Sequence, residues 1–369
     1  MPARILSLLT AAAATAIPLH AFAEDPLVES VAISTDDGDA TVSVGLDAQV
    51  RYELADREGM ERTSRFRLRR FRPILKFEGF KQFEVKVVPE FAGDPELKDG
   101  VVRWIPNDWF KVEAGQFAPP FNWERDGSSD YHQFLERSVA NNEFQIADGR
   151  DIGVQFDFEW DQLLDVEAGI FNGAGSNAAP TPGKGHVAAW RVALAPFGFY
   201  HEVEVVPKVM ERPVLMLGVG GFVAIDNAWR DWAPPGSSNT EPIAADVWSV
   251  TGDLHVWAWR MSLHASLFHR QVRPCCTDGA ANLPGYTGGG FTGQAGFLVI
   301  ARRVMLAYRH SRTAVDSTRT PTKREHAVSL QLFHRGNKSK FTLEAGMIQR
   351  DLNDEADEQY ARLQYQLLL

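Results

Sequence analysis

Residues Val42 to Leu54 alternate between apolar side chains and small, polar or charged ones without interruption. A period of two predicts a β-strand with one apolar and one polar face. The segment is longer than the ~5 to 6 residues usual for soluble strands, and a tilted strand of ~9 to 11 residues can cross a bilayer. Its polar face carries Asp47, Gln49, Arg51 and Glu53.

Similar segments recur along the chain and bring the predicted number of strands to sixteen. Their connections alternate between short turns and longer loops, as in bacterial barrels with both termini in the periplasm. Ala118 to Gly149 is the longest connection and falls where an outer loop is due. The inner connection from Pro196 to Arg212 is longer than the short turns expected at that end of such a barrel. The predicted strands are 42–54, 65–79, 83–91, 101–105, 110–117, 152–160, 166–171, 187–195, 213–225, 247–257, 259–268, 291–300, 304–310, 328–333, 341–348 and 360–369. We therefore predict an all-β fold, a sixteen-stranded antiparallel transmembrane β-barrel.

The N-terminus has the features of a secretory signal peptide. Arg4 precedes an apolar run, and Ala21-Phe22-Ala23 supplies a small-x-small cleavage site. The alternative, a buried N-terminal helix, fits poorly with Pro18 and the acidic residues that follow. We expect residues 1–23 to be the signal peptide, 24–41 an N-terminal periplasmic segment and 42–369 the barrel, located in the outer membrane of a Gram-negative bacterium.

Composition excludes several classes of partner. The formal net charge is −10, which disfavours nucleic acid. The sequence has neither a zinc-type spacing of cysteine and histidine nor a phosphate-binding Gly-rich loop, so we expect no metal and no cofactor. The two cysteines, Cys275 and Cys276, are adjacent. They form no disulfide framework, and two loop thiols are favoured over a vicinal bridge.

The second predicted strand contains the densest basic cluster, Arg65-Phe66-Arg67-Leu68-Arg69-Arg70-Phe71-Arg72. Phe66 and Leu68 are out of phase with Phe71 by one residue, which predicts a β-bulge at Arg69 and Arg70. An arginine facing lipid costs ~2 to 4 kcal/mol near the midplane, so these side chains should face the lumen. The alternative is that Glu84 and Glu90 neutralise them. The predicted pore-lining residues are Arg65, Arg67, Arg69, Arg70, Arg72, Lys76, Lys86, Asp99, Lys111 and Arg125.

The long connection from Ala118 to Gly149 is predicted to fold into the lumen as the third outer loop. Its aromatic residues, Phe121, Trp123, Phe134 and Phe144, are too many for a solvated tether. Burying them against the inner wall would leave charged residues near the passage, namely Glu124, Arg125, Asp126 and Arg137.

Several motifs resemble the phosphate-selective porins of the O/P type. They are Gly115-Gln116-Phe117-Ala118-Pro119-Pro120-Phe121, Leu135-Glu136-Arg137-Ser138, Gly149-Arg150-Asp151-Ile152-Gly153-Val154-Gln155 and Gly169-Ile170-Phe171-Asn172-Gly173, together with Leu97-Lys98-Asp99. The resemblance covers about residues 40 to 225. It implies a trimeric outer-membrane anion channel in which basic residues guide phosphate, with roles for Arg69, Arg70 and Asp99.

Two positions depart from the family pattern. The family commonly has a lysine where this chain has Ala118, and an arginine on the first strand, where Gln49 or Arg51 must serve. These departures bear on phosphate selectivity.

The expected function is a non-enzymatic porin for passive uptake of small anions, phosphate or polyphosphate, embedded in outer-membrane lipid. The first alternative is a general porin of low selectivity. The second is a barrel enzyme that would use His132 with Ser128, Ser129, Asp126 and Asp130, although solvated loop residues explain that cluster better. The third is a structural barrel with a plugged lumen.

Overall fold

The computed structural model describes residues 31–35, 39–80, 82–146, 149–179, 185–197, 203–229, 243–275, 285–316, 322–351 and 356–369. The predicted signal peptide lies outside these ranges. Within the described ranges, seventeen strands form one sheet: β1 (Val31–Ser34), β2 (Ala40–Arg57), β3 (Thr63–Gly79), β4 (Phe83–Glu90), β5 (Glu96–Asn107), β6 (Phe110–Phe117), β7 (Asp151–Trp160), β8 (Leu164–Phe171), β9 (Val187–Leu194), β10 (Met210–Trp229), β11 (Ile243–Trp259), β12 (Met261–Pro274), β13 (Tyr286–Ile300), β14 (Val304–Val315), β15 (Lys323–Arg335), β16 (Ser339–Arg350) and β17 (Glu358–Leu368). In the described ranges no helix has the length and apolarity needed to cross a membrane.

Sixteen of the strands, β2 to β17, form a closed antiparallel barrel. Each pairs with its neighbours in the sequence, and β17 returns to β2, with Gln366 opposite Gln49. The predicted fold class and strand number are confirmed. The sequence interpretation missed β1, which pairs with β2 beyond the end of β17, placing Val31 opposite Val44. Closure leaves no edge unpaired, as a bilayer requires.

Burial along the strands is the inverse of that in a soluble protein. On β2, Val42, Val44 and Val50 are 45 to 51% exposed, whereas Asp47 and Arg51 are at most 3% exposed. The apolar face therefore points outward and the polar face inward. Such a surface is stable only in apolar surroundings, because its outward side chains would otherwise remain in contact with water.

The strands extend further toward the long-loop end than the alternation predicted. β14 continues from the predicted end at His310 to Val315, and β15 begins at Lys323 rather than Val328. The added residues include outward-facing polar side chains, so the apolar alternation stops although the hydrogen-bonded ladder continues. β5 is longer for a similar reason and spans Glu96–Asn107 rather than residues 101–105.

Pro73 of β3 and Pro89 of β4 lie beyond the end of the regular hydrogen-bonded ladder between these two strands. Regular pairing ends with Leu75 opposite Val87, so it reaches neither Pro73 nor Pro89. The Glu90 carboxylate accepts a hydrogen bond from the backbone N–H of Phe71 at 2.9 Å, which replaces a ladder acceptor. On their other sides the prolines remain in register, with Pro73 opposite Leu46 on β2 and Pro89 opposite Leu97 at an irregularity of the β4–β5 ladder.

Candidate functional site

An extra residue in β3 aligns its basic side chains on the inner face of the barrel. Gln49 pairs with Arg70 and Val50 pairs with Leu68, so Arg69 has no partner on β2. The bulge predicted from the sequence is present. It moves the inward positions from odd to even residue numbers. Arg65, Arg67, Arg69, Arg70, Arg72 and Lys76 thereby share the inner face.

Each of these six cations contacts a carboxylate. The pairs are Arg65–Glu53 (3.4 Å), Arg67–Glu53 (2.7 Å), Arg69–Glu136 (3.0 Å), Arg70–Asp130 (2.9 Å), Arg72–Glu90 (2.6 Å) and Lys76–Glu84 (2.8 Å). The neutralisation considered as an alternative is thus present, with Glu90 beside Arg72 and Glu84 beside Lys76. These cations form a charge-paired wall rather than an uncompensated column.

Two acidic residues of the 118–149 connection supply part of this pairing. The Glu136 carboxylate lies 2.5 Å from Arg51 and 3.0 Å from Arg69. Burial would raise the pKa of the Glu136 carboxyl, but Arg69 and Arg51 outweigh it and hold that pKa well below its usual range. Asp130 accepts hydrogen bonds from Arg70 at 2.9 Å and Gln49 at 2.6 Å. The connection is therefore bound to the inward faces of β2 and β3.

Other residues of the connection bind inward-facing side chains of β14 to β16. The backbone N–H of Leu135 donates to Glu344 at 2.5 Å, that of Val139 to Glu325 at 3.0 Å, and that of Ala140 to the Ser311 hydroxyl at 3.1 Å. Further contacts reach Arg191 on β9 and Ser262 on β12. The connection therefore has partners on strands from β9 round to β3.

The aromatic side chains of the connection are buried, as the sequence predicted. Phe121, Phe134 and Phe144 are at most 2% exposed. The Phe121 ring meets Phe222 edge-on with centroids 5.4 Å apart, and the Phe144 ring stacks on Phe268 at 5.8 Å. These contacts attach the connection to the inner faces of β10 and β12.

Two short capped helices order the connection, Trp123–Asp126 and Val139–Phe144. The Asn122 side chain accepts from the N–H of Arg125, and the Ser138 side chain accepts from that of Asn141. Glu124 links the helices by accepting hydrogen bonds from the backbone and hydroxyl of Ser138 at 2.5 and 2.8 Å. Burial raises the pKa of Glu124.

Arg125 and Arg137 differ from the cations of β3. The Arg137 guanidinium donates to the carbonyls of Glu124 at 2.8 Å and Gly127 at 3.3 Å. Arg125 donates to the carbonyl of Gly149. Within the ranges that the structure describes, neither guanidinium has a carboxylate within ion-pair distance. Burial lowers the pKa of Arg137 to about 10, and the neighbouring Arg70 contributes to that shift.

Gly149 makes room for Arg125. Its φ is +64°, and a Cβ at this position would overlap the Arg125 guanidinium. A residue with a side chain would therefore be strained in its backbone and would displace Arg125. This gives a physical role to the first glycine of the Gly149-Arg150-Asp151 motif.

The remaining predicted residues fall into two groups on the wall. Asp99 lies 2.8 Å from Arg150 and 3.8 Å from Lys86, close to the 118–149 connection. Lys111 contacts Glu113 at 2.6 Å and Asp157 at 2.8 Å, nearer the inner end. The structure brings Asp99 and Lys86 together, whereas Lys111 is separate from them.

The irregular inner connection between β9 and β10 enters the same region. Its Glu204 carboxylate accepts hydrogen bonds from the backbone N–H of Gln133 at 3.0 Å and from the side chain of Gln294 at 2.8 Å. The adjacent Val205 donates to the carbonyl of Tyr131 at 3.0 Å. The inner connection and the 118–149 connection therefore contact each other. The sequence interpretation missed this contact, although the unusual length of the inner connection indicated an irregularity.

Two cavities lie on either side of these connections. The outer cavity, of about 400 Å³, is lined by the cations Arg57, Arg137, Lys323, Arg350 and Arg362 and by the acids Glu136, Glu143, Glu325 and Glu358. The inner cavity, of about 240 Å³, is acidic, with Asp108, Asp126, Asp157, Glu159, Asp165 and Glu167 against Lys111 and Arg191. The charge balance thus changes sign along the barrel.

The candidate catalytic cluster does not have the geometry of a nucleophile activated by histidine. The Ser128 hydroxyl donates to Asp130 at 2.6 Å, and Ser129 contacts Arg70. His132 is buried, and its Nε2 atom has no hydrogen-bond partner among the described residues. A base must lie within hydrogen-bond reach of the hydroxyl that it activates, and neither serine meets that requirement.

The preference for free thiols is wrong for Cys275, which is disulfide-bonded. Cys276 lies outside the described residues.

The far wall contains buried charge pairs that the sequence interpretation did not single out. Arg191 makes two hydrogen bonds to Asp253, at 2.7 and 2.8 Å, and Arg309 lies 2.5 Å from Glu325. Both arginines occupy polar positions in strands that alternate between apolar and polar residues, and this alternation was the sequence signal that could have identified them. It indicates the inner face but not which acid lies opposite.

Comparison with protein families gives one match. Residues 41–201 match the family described as phosphate-selective porin O and P. The resemblance seen in the motifs is thus confirmed over that part of the chain. A comparison with curated proteins finds no match.

Solved structures of the same fold include an anion-selective porin, an outer membrane channel and an outer membrane protein. The anion-selective porin from Comamonas acidovorans has a TM-score of 0.62 at 9% identity and covers 89% of this chain and 100% of its own. The channel DcaP of Acinetobacter baumannii gives 0.61 at 8%, covering 91% and 99%. OmpT of Vibrio cholerae in its trimer form gives 0.57 at 13%, covering 88% and 99%. At these identities the likeness shows the barrel fold, and the family match covers residues 41–201.

Proposed function

From a barrel that matches the porin family over residues 41–201, we propose that this protein is a passive channel for small anions, phosphate among them. The observation that carries this proposal is the set of contacts that Arg137 makes. It lines the outer cavity and donates only to backbone carbonyls, so no contacting carboxylate cancels its charge. The name of the Comamonas acidovorans porin, which is called anion-selective, agrees with this choice.

Arg137 has further arginines near it. Arg70 and Arg150 both act electrostatically on its guanidinium, and Arg150 acts on Arg125 as well. One arginine attracts an anion at 4 Å by about 1 kcal/mol in bulk water and ~4 kcal/mol at an effective dielectric of 20. Arg70 and Arg150 are themselves paired with Asp130 and Asp99, so Arg137 supplies the uncompensated charge of this group.

We assign the constriction to the 118–149 connection. Its contacts with inward-facing side chains from β9 to β3 support a position across the lumen. The inner connection, through Glu204 and Val205, supports it from the periplasmic side. Anions would pass Arg137 where these two segments reduce the free cross-section.

The proposal predicts that Arg137→Gln lowers the preference for anions. The replacement removes a cation with no contacting carboxylate and leaves the charge pairs of β3 intact. Reversal potentials of reconstituted channels in a KCl gradient measure the effect. The matched control is Arg62→Gln, which removes the same charge from an exposed outer loop. A shift toward cations in Arg137→Gln alone supports the proposal, and equal values in both variants contradict it.

A general porin of low selectivity is the second candidate. Two observations favour it: the six β3 cations are all paired with carboxylates, and the inner cavity is acidic. A reversal potential near zero for the unmodified channel would select this candidate.

Preference for phosphate over other anions is the finer part of the proposal. Ala118 stands where the family commonly has lysine, and Arg51 is bound to Glu136, so neither supplies a free cation. Arg137, whose guanidinium contacts only backbone carbonyls among the described residues, would have to provide the contact instead. Blocking of chloride current by added phosphate, weakened in Arg137→Gln, would support this assignment.

We further propose a homotrimer in the outer membrane. One structure of Vibrio cholerae OmpT is a trimer form of that protein. A trimer of this chain should resist dissociation in mild detergent, because the family resemblance implies three barrels packed together by their lipid-facing surfaces. Analytical ultracentrifugation, corrected for bound detergent, measures its mass, and a monomer in every detergent would contradict the proposal.

A further inference from the structure

Four nitrogen-bearing side chains form an array of two cross-strand pairs on the outward face of β14 and β15. His310 pairs with His326, and Arg312 pairs with Arg324 at the next outward position toward the outer loop. The centroids of the His310 and His326 imidazole rings lie 4.5 Å apart. The inward neighbours on the same strands, such as Arg309 and Glu325, are buried, which fixes the array on the opposite, lipid-facing side.

The array continues directly from the apolar band of the barrel. Leu306 and Tyr308 on β14 are 50 and 47% exposed, and Val328 on β15 is 51% exposed. The Tyr308 hydroxyl and the Nδ1 atom of His326 share a hydrogen bond of 2.7 Å. Tyrosines that bridge apolar and polar surfaces are typical of the membrane interface. Arg312 and Arg324 are thus placed where lipid headgroups begin.

Within the described part of the chain, the protein balances one of the two arginine charges of the array and leaves the other without a carboxylate. Arg324 contacts Asp351 at 3.1 Å. Arg312 is exposed and has no carboxylate partner among the residues that the structure describes. Like charges directly opposite each other on neighbouring strands destabilise a sheet unless a counter-ion lies between them. An anion at this position would relieve that repulsion.

We infer that the array binds the phosphorylated headgroup of an outer-leaflet lipid. Arginine is suited to phosphate because its planar fork donates two parallel hydrogen bonds. The lipid is favoured over free phosphate because its acyl chains would cover Leu306, Tyr308 and Val328 below the array. This surface is separate from the pore, so the inference stands independently of the proposed anion channel.

The test compares lipid retention by purified variants in maltoside micelles. Native mass spectrometry would measure the bis-phosphorylated lipid A that remains bound to the wild type and to the double variant Arg312→Gln, Arg324→Gln. The control is Arg212→Gln, at an exposed position near the inner end of β10. At about 1 kcal/mol for each arginine near an anionic surface, the double variant should bind about 30-fold more weakly, and the control should match the wild type.

Four results would overturn the inference. Equal retention by the double variant would show that the array is not the site. Equal retention of lipid A stripped of its phosphates would show that phosphate is not recognised. Complete displacement by inorganic phosphate would assign the site to the free anion. A change in oligomeric mass with unchanged lipid retention would assign this face to a second copy of the chain.

Discussion

At the scale of residues, the interior of this barrel contains buried charge pairs beside the apolar contacts of the 118–149 connection. Arg309 and Glu325 are 2.5 Å apart, and each side chain is at most 3% exposed. Glu325 also accepts a hydrogen bond from the backbone of Val139 in the 118–149 connection at 3.0 Å. Buried charges of this kind are tolerated only when both partners are present.

Replacing Glu325 with glutamine should therefore destabilise the folded barrel strongly. The variant leaves Arg309 buried without its carboxylate, at a cost of roughly 3 to 5 kcal/mol. Urea unfolding of the protein in micelles measures the change. Asp351→Asn is the matched control, because the Arg324–Asp351 pair is 43 and 46% exposed and should contribute about 1 kcal/mol or less. Similar losses in both variants would contradict this account of the interior.

The alternation of apolar and charged residues in β3 correctly predicted which of its side chains face inward. The phase change between Leu68 and Phe71 correctly predicted the bulge, because one inserted residue reverses which side chains face inward. The pairing of Arg69 with Glu136 was not predictable in the same way. That contact depends on how a connection distant in sequence folds back, and no local pattern encodes such a path.

At the scale of elements, the 118–149 connection and the connection between β9 and β10 contact each other, and both are irregular in the part of the chain that the structure describes. Loop lengths placed the 118–149 connection on the outer side, and its aromatic content predicted that it is buried. The inner connection gave only the signal of excess length. Its contact through Glu204 follows from packing against Gln133 and Gln294, which lie far away in sequence.

Docking of the inner connection should depend on pH through Glu204. Burial, aided by the nearby Glu124, raises the pKa of this carboxyl from 4.5 to about 7. Between pH 4.5 and about 7, the Glu204 carboxyl is therefore protonated in the folded state and ionised in the unfolded state. Stability should be full below about pH 4.5 and fall as the pH rises through about 7.

Urea unfolding across this pH range measures the effect. Glu204→Gln should flatten the dependence, whereas Glu96→Gln at an exposed position of β5 should retain it. An unchanged slope in Glu204→Gln would show that another group is responsible.

At the scale of the whole molecule, the strand count and the inverted burial follow from one constraint. A barrel in lipid must satisfy every backbone group and place apolar side chains outward, so alternation reveals both features in the sequence. The selectivity of the pore has no such signature. It depends on which lumen charges remain unpaired after folding, and Arg137 can be recognised as unpaired only from its contacts.

The reversal potential of the unmodified channel in a KCl gradient tests the central claim most directly. The opposite charge balances of the outer and inner cavities make its sign informative, because the outer cavity with Arg137 and the acidic inner cavity predict opposite preferences. If Arg137 and its arginine neighbours at the constriction control permeation, the potential will lie on the chloride side. A potential on the potassium side would show that the acidic inner cavity controls permeation and would contradict an anion channel.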